Sequence, residues 1–230
     1  MFTFAYLIGG LILGSVWMVM FLLRKDLRRE MLFGSALALP FGFLERAFVP
    51  VYWDPPSLFN LIHGVGFGIE SFFFAFFTGG IGASVFEFYE NKRLIKVRSD
   101  HRTHIFPYIL TTALFFVLQS YFPVKSMYNL SFALLAGAGY IGFKRRDLIP
   151  HVVASGLFFG LIYTFLFYLF MHLFPSYIES FYTFKNLSGM NIFGVPIEET
   201  MFALSGGACW STFYAYINGY RTRSSPNSRS

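Results

Sequence analysis

The sequence predicts an all-α integral membrane protein with about seven transmembrane helices. Its composition is that of a membrane protein, since 55% of the 230 residues are hydrophobic, 13% are charged and the mean hydropathy is +0.54. Several segments also reach the roughly 20 mostly apolar residues that a bilayer-spanning helix needs. The predicted spans are residues 3–23, 31–49, 65–89, 104–123, 127–143, 149–174 and 194–217.

Basic residues are concentrated on one side of this predicted topology. With seven spans, the loops after spans 1, 3 and 5 share a side with the C-terminal tail, and together they hold 15 of the 18 Lys and Arg residues. Cytoplasmic loops carry such an excess. We therefore predict a protein of the cell membrane with its N-terminus outside and its C-terminus in the cytoplasm. The net charge of +6 then reflects contact with anionic membrane lipid and not with nucleic acid.

The chain also contains an internal repeat. The run Gly194 to Phe202 matches Gly66 to Phe74, which lies 128 positions earlier, at glycine, isoleucine, glutamate and phenylalanine positions. In a second match, the run from Arg24 to Leu27 is similar to the run from Arg145 to Leu148. Both copies start on the same side, so the repeats are parallel. The predicted units are a first three-helix repeat (1–100), a linker helix (101–124), a second three-helix repeat (125–220) and a disordered tail (221–230).

Acidic residues stand at the outward ends of several predicted spans. Pro196 suits the first position of a helix, which places Glu198 and Glu199 in its first turn. Carboxylates there are favoured by the helix dipole, so simple capping is one interpretation. The repeat of the motif at Glu70 favours a functional one. Glu45, followed by Arg46, is a further acid inside a span, where charged groups are costly and often functional.

An aromatic loop precedes each acidic helix. Trp53 stands 17 residues before Glu70, and Tyr182 stands 16 residues before Glu198. Aromatic residues also form belts at membrane interfaces, so this pattern alone has two interpretations.

Grouped carboxyls in an apolar, aromatic-lined cavity have a definite chemical use. Burial and like charge raise the pKa of one glutamate, so that an acid and a base stand side by side. Aromatic faces stabilise a passing cation. Protonation of an alkene, guidance of a carbocation and removal of another proton need these groups, and we expect no metal and no redox cofactor.

These motifs resemble those of a known family. The run Gly194 to Glu199, with Phe202, resembles the P-x-E-E/D signature of the integral-membrane lycopene cyclase domain. Members of that family look like two three-helix units, each with an acid in its second span, an aromatic loop and a G-x-P-x-E-E/D helix start. Tyr182 to Phe184 is similar to the loop of the second unit, and Tyr52 to Asp54 to that of the first. This chain departs at Gly68, where the family prefers proline, at Ser71, where a second acid is common, and at the pair Glu45 and Arg46.

The resemblance implies a non-redox isomerase that protonates the ψ-end of a linear carotenoid and closes a six-membered ring. It also implies that Glu198 and Glu199 are the acid–base pair, with Glu70 and Glu45 assisting. Expected substrate contacts are Pro196, Tyr182, Phe184, Trp53, Tyr52, Asp54, Phe202 and Phe74. The expected partners are a lipophilic polyprenyl or carotenoid substrate and membrane lipid. Because the family also occurs as paired subunits, homo- or hetero-oligomers are a further expectation.

Two other function classes fit the predicted topology. A 3+1+3 arrangement is similar to that of SWEET-type sugar transporters, although the spans offer few Asn, Gln or Ser groups to bind a sugar. A non-catalytic membrane subunit that pairs with a carotenoid enzyme is the other alternative.

Overall fold

The fold is all-α apart from two short antiparallel strand pairs, in a computed structural model that describes residues 2–90, 93–96 and 105–223. The elements in chain order are α1 (Ala5–Leu23), α2 (Arg28–Ala38), α3 (Glu45–Phe48), α4 (Leu61–Val65), α5 (Ile69–Glu90), β1 (Arg93–Lys96), α6 (Phe106–Tyr121), α7 (Ser126–Lys144), α8 (Ile149–Leu173), α9 (Tyr177–Phe181), β2 (Asn191–Ile192), β3 (Val195–Pro196), α10 (Ile197–Asn218) and β4 (Tyr220–Arg223). Short 3₁₀ turns lie at Leu39–Leu44, Leu58–Asn60, Arg146–Leu148 and Phe184–Asn186.

Every predicted span coincides with a long helix or, for the second span, with α2, the following 3₁₀ turn and α3. Four of these segments are long and apolar enough to cross a membrane: Ala5–Leu23, Arg28–Phe48, Ile69–Tyr89 and Arg146–Leu173. Their length and composition indicate a membrane protein. The helix α6 has only 16 residues. Most of α10 is buried inside the bundle, including Ser205, Ser211 and Thr212. Since a helix surrounded by protein does not face lipid, it tolerates the small and polar residues that lower its hydropathy.

Two helices, α5 and α10, form the centre of the bundle. The helices α1 and α2 pack against α5, α7 and α8 pack against α10, and α5 and α10 contact each other. Glycines permit the closest crossings. A Cβ atom on Gly34 would lie 2.6 Å from the Gly79 carbonyl oxygen, and one on Gly207 would lie 2.6 Å from the Ser155 carbonyl oxygen. Gly79 and Gly207 are 128 positions apart, so the two crossings occupy matching places in the two halves.

The central helices run in the same direction. Both lead into strands that pair with each other, with Leu94 opposite Thr222 in the antiparallel pair β1–β4. Their first turns lie at the other end of the bundle, which we call the carboxylate end because it holds Glu45, Glu70, Glu198 and Glu199. The end that holds Arg24 and Arg145 is the basic end.

The basic end repeats one ion pair. The Arg24 guanidinium donates to the Asp26 carboxylate at 2.9 and 3.0 Å, and Arg145 donates to Asp147 at 2.7 and 2.9 Å. Each pair lies just after a long helix, α1 or α7. The matching sequence runs at 24–27 and 145–148 therefore have matching local structures.

Three predictions on element bounds were wrong. The helix of the predicted span 65–89, α5, begins only at Ile69. Residues 61–65 form the separate α4, and Gly66 takes a left-handed φ of 91°. Pro196 is the residue before α10 and not its first residue, because its extended backbone pairs with Asn191 in β2–β3. Residues 221–223 of the predicted disordered tail form part of β4. The rest of that tail, the start of the predicted linker, and Lys92, Arg98 and Arg102 of the basic loop lie outside the described residues.

Candidate active site

Glu199 accepts hydrogen bonds from three tyrosines. Its Oε1 accepts from the hydroxyls of Tyr52 at 3.0 Å and Tyr182 at 2.9 Å, and its Oε2 accepts from Tyr163 at 2.9 Å. All four residues are buried. Tyr52 lies after α3, Tyr163 on α8 and Tyr182 after α9, so three separate segments converge on one carboxylate in the first turn of α10. Hydrogen bonds to both oxygens favour the ionised form of the carboxyl. We call these four residues the Glu199 cage.

The phenols of the cage keep their protons. Burial raises the pKa of Tyr52 and of Tyr182 well above the usual value for a phenol, and the neighbouring Glu199 raises both further. A phenol that stays neutral donates its hydrogen bond over the whole physiological pH range. The cage therefore presents a fixed set of donors to Glu199.

Glu45 is a second buried carboxyl at this end of the bundle. Its Oε2 accepts a hydrogen bond of 2.9 Å from the hydroxyl of Tyr6 on α1. The Ser71 hydroxyl and the Trp53 indole face the same carboxyl. Its Oε1 is buried and has no hydrogen-bond partner among the described residues. Unlike Glu199, this carboxyl has one oxygen that accepts no hydrogen bond from the described residues.

Glu70 and Glu198 hold the loops that precede their helices. The Oε1 of Glu70 accepts the Leu58 backbone N–H at 2.6 Å, and the Oε1 of Glu198 accepts the Ser188 backbone N–H at 2.6 Å. Each glutamate is the second residue of its helix, α5 or α10. The hydrogen bond between the helix start and the preceding loop is thus the same in both halves. In the second half, the Tyr128 hydroxyl donates one more hydrogen bond to Glu198.

The two aromatic loops meet at the carboxylate end. Trp53 and Tyr182 form an antiparallel β-bridge. The Asp54 N–H donates to the Phe181 carbonyl at 2.7 Å, and the Thr183 N–H donates to the Tyr52 carbonyl at 2.9 Å. Trp53 and Tyr182, which precede Glu70 and Glu198 by similar numbers of residues, are therefore direct neighbours in the fold.

A cavity of about 210 Å³, which we call the central cavity, lies between the two halves. Glu45, Glu199, Tyr52, Trp53 and Tyr182 are in its wall. Glu70 and Glu198 are not, since adjacent helix positions point about 100° apart. The remaining wall is mostly apolar, with aromatic rings from several helices: Phe41, Phe48, Phe74, Phe159, Phe167, Phe170, Phe202 and Trp210. Phe74 and Phe202, which stand 128 positions apart, stack with ring centroids 6.2 Å apart.

Several expected contacts lie elsewhere. Phe184 is half exposed and, with Pro196, lines a different pocket nearer the surface. The Asp54 carboxylate lies 3.4 Å from the His63 imidazole, outside the cavity wall. Arg46 packs along Gly66. No salt bridge joins Arg46 to Glu45 within the described part of the chain, so that pair is not a closed ion pair.

Four tyrosines at this end were not expected from the sequence: Tyr6, Tyr128, Tyr163 and Tyr177. Tyr6 and Tyr163 lie in apolar stretches rich in phenylalanine, and Tyr128 and Tyr177 lie in mixed segments next to a span, so none of them stands out by periodicity. The signal was the hydroxyl itself, because a buried tyrosine oxygen usually finds a polar partner. The residues within 2–90, 93–96 and 105–223 contain no group of three His, Cys, Asp or Glu side chains placed to hold a metal ion.

One family comparison covers part of the chain. Residues 125–217 match the family model described as lycopene cyclase. This part of the chain belongs to the lycopene cyclase family. The match covers the predicted second repeat, which carries the Glu199 cage except for Tyr52, and does not extend to the first repeat, where the sequence departs from the family signature. Searches of curated proteins and of solved structures found no match.

Proposed function

We propose that this protein is a membrane-bound, non-redox isomerase that closes a ring at the end of a linear carotenoid or a related polyprenyl compound. The observation that carries the proposal is the pair of buried carboxyls, Glu45 and Glu199, in the wall of one aromatic cavity. Family membership supports a carotenoid cyclase. The mostly apolar wall suits a hydrocarbon end group, which carries no polar atom to bind.

The hydrogen bonds support different roles for the two carboxyls. Glu199 accepts three phenol hydrogen bonds, which favour its carboxylate form. Glu45 has one phenol donor and a free oxygen, so we assign it the proton. This assignment pairs Glu199 with Glu45, whereas the sequence alone favoured Glu198 as the partner. Glu198 and Glu70 then position the loops that carry the aromatic residues.

The proposed reaction conserves protons. The O–H bond of Glu45 breaks as its proton adds to the terminal alkene, and a tertiary carbocation forms. Electrons of a second alkene close the six-membered ring and move the positive charge to another carbon. The Glu199 carboxylate removes a proton from an adjacent carbon, which restores a double bond. The faces of Phe74, Phe202 and Trp53 stabilise the cation by cation–π attraction, and the low-polarity wall keeps water from trapping it.

We also propose seven spans in two parallel three-helix repeats, with the carboxylate end facing outward in the cell membrane. Contacts between equivalent residues support the repeat, because residues related by a two-fold axis meet where that axis passes. Phe74 stacks on Phe202, Leu94 pairs with Thr222, and a Cβ atom on Gly82 would lie 3.5 Å from the Cβ of Trp210. Each of these pairs is 128 positions apart.

Expression in cells that accumulate lycopene tests the function. We expect pigment chromatography to show monocyclic or bicyclic carotene for the wild type and unchanged lycopene for the double variant Glu45→Gln/Glu199→Gln. Glu30→Gln is the matched control, since Glu30 is a buried glutamate near the basic end, on the first turn of α2. Unchanged lycopene with wild-type protein present in the membrane would contradict a lycopene-cyclising activity.

A further inference from the structure

A second pocket, which we call the outer pocket, lies beside the central cavity near the surface of the carboxylate end. It has a volume of about 370 Å³. Met190 and Phe184 in its wall are more than half exposed, so the pocket opens to the surroundings. Glu198 is in its wall, whereas the adjacent Glu199 faces the central cavity. The start of α10 therefore separates an open pocket from an apolar cavity.

Tyr177 belongs to the walls of both spaces. Among the residues that the structure describes, it alone lines the central cavity and the outer pocket together. It is the first residue of α9, its side chain is 1% exposed, and its ring packs edge-on against Phe170 at 5.0 Å between centroids. Tyr177 therefore lies between the two spaces.

The hydroxyl of Tyr177 is a buried group without a function in the proposed ring closure. It has no hydrogen-bond partner among the described residues. Burial raises the pKa of this phenol, and the nearby carboxyls of Glu45, Glu199 and Glu70 raise it further. Tyr177 therefore lies near enough to these carboxyls to feel their charge, and it also lines the open pocket. An unpaired buried hydroxyl is costly unless water or another group completes its bonding.

Ring closure leaves the site in the wrong protonation state. After each turnover Glu45 has lost a proton and Glu199 has gained one, so a proton must move before the next reaction. The central cavity is apolar, and its carboxyls are screened from solvent by the aromatic loops. A route for protons between water and these carboxyls has to pass through its wall.

We propose that Tyr177 is that route: its hydroxyl exchanges protons between water in the outer pocket and the carboxyls of the central cavity. This inference rests on the proposed cyclase function. In each step the phenol passes its own proton to a carboxylate and takes one from water, or the reverse, so that no charge stays on the ring. Tyr177 acts through Glu45 and Glu199 and is a positioning and relay residue.

Deuterium incorporation tests the route. Membranes that contain the protein are supplied with lycopene in D₂O, and the deuterium content of each new ring is measured by mass spectrometry. We expect about one deuterium per ring for the wild type, because Glu45 is reloaded from solvent in every cycle. We expect Tyr177→Phe to fall below about half of that value, because the abstracted substrate proton is then returned internally. Tyr216→Phe, a buried tyrosine at the basic end, is expected to match the wild type.

A second experiment closes the outer pocket without touching Tyr177. Met190→Cys, in the pocket wall, is labelled with a bulky thiol reagent, and Phe193→Cys, exposed but outside the wall, is labelled as the matched control. The natural Cys209 is buried and common to both. Labelling at 190 but not at 193 is expected to lower deuterium per ring. This pair decides the question if Tyr177→Phe forms no rings.

Deuterium per ring does not depend on how much enzyme is folded, so a purely structural role of Tyr177 would leave it unchanged. Three results, each obtained while rings still form, would overturn the relay and leave the cyclase function intact. They are full deuterium per ring in Tyr177→Phe, full deuterium per ring in labelled Met190→Cys, and no deuterium in the rings that the wild type forms. Absence of rings in the wild type would instead refute the function itself.

Discussion

The two halves of the molecule build their carboxyl sites from equivalent positions but with different side chains. In the second half, position 199 is a glutamate with three tyrosine donors. In the first half, the equivalent position 71 is a serine, and its hydroxyl faces Glu45 of the preceding helical segment. The loop ties of Glu70 and Glu198 are alike in both halves. The two halves thus share their loop ties but differ at their carboxyls, since Glu199 accepts three hydrogen bonds whereas Glu45 has one oxygen without a partner among the described residues.

The largest effect is expected at Glu199. Glu199→Gln should lower ring formation by about 10²–10⁴-fold, the usual contribution of a general acid or base, because an amide cannot take a proton from the cation. The rate of carotene formation in isolated membranes measures this. Glu198→Gln is the comparison, and it should lose at most about tenfold if its carboxylate only holds the loop. Equal losses in both variants would contradict the division of roles.

A loss of similar order is expected at Glu45, with a different dependence on the side chain. Glu45→Gln should lower the rate by about 10²–10³-fold, whereas Glu45→Asp should keep more activity because it retains a proton. Glu70→Gln tests the comparison within the same half, since its carboxylate bonds a backbone N–H outside the cavity wall. If Glu70→Gln were the more harmful change, the proton donor would be assigned to the wrong glutamate.

Removal of one cage donor should have a moderate effect. Tyr52→Phe, Tyr163→Phe and Tyr182→Phe each delete one hydrogen bond to a carboxylate, worth about 1.5–3 kcal/mol, which corresponds to roughly 10- to 100-fold in rate. Single-turnover rates with each variant would measure the losses. Because the three phenols share one carboxylate, the double variants should lose less than the product of the single losses. Fully multiplicative losses would mean that the donors act independently.

The smallest effect is expected at Ser71. Ser71→Ala removes a neutral hydroxyl near Glu45, for which about 0.5–1.5 kcal/mol is typical, so activity should fall only about 2- to 10-fold. Steady-state ring formation is a sufficient measurement. A loss as large as that at Glu199 would show that the first half depends on position 71 as strongly as the second half depends on position 199, and the proposed asymmetry would fail.

Much of the fold was predictable because the bilayer restricts the choice. A segment in lipid must satisfy its own backbone groups, so long apolar runs become helices. The helices α1, α7 and α8 accordingly lie within two residues of their predicted bounds. The bounds failed at Gly66 and Pro196, where backbone conformation and a two-residue strand pair decide the start of the helix. Neither feature has a periodicity that a sequence displays.

The candidate site was predictable as residue types and not as a constellation. The sequence by itself determined an all-α membrane protein, the matching motifs at Glu70 and Glu198, and the aromatic loops with Trp53 and Tyr182, because these follow from composition, spacing and repetition along the chain. Only the tertiary structure decided that Glu199 meets Tyr52 across 147 positions and that Glu198 faces another pocket. The reason is physical: hydrogen bonds and cavity walls are set by how helices pack around glycines and aromatic rings, and that packing depends on residues distant in the chain.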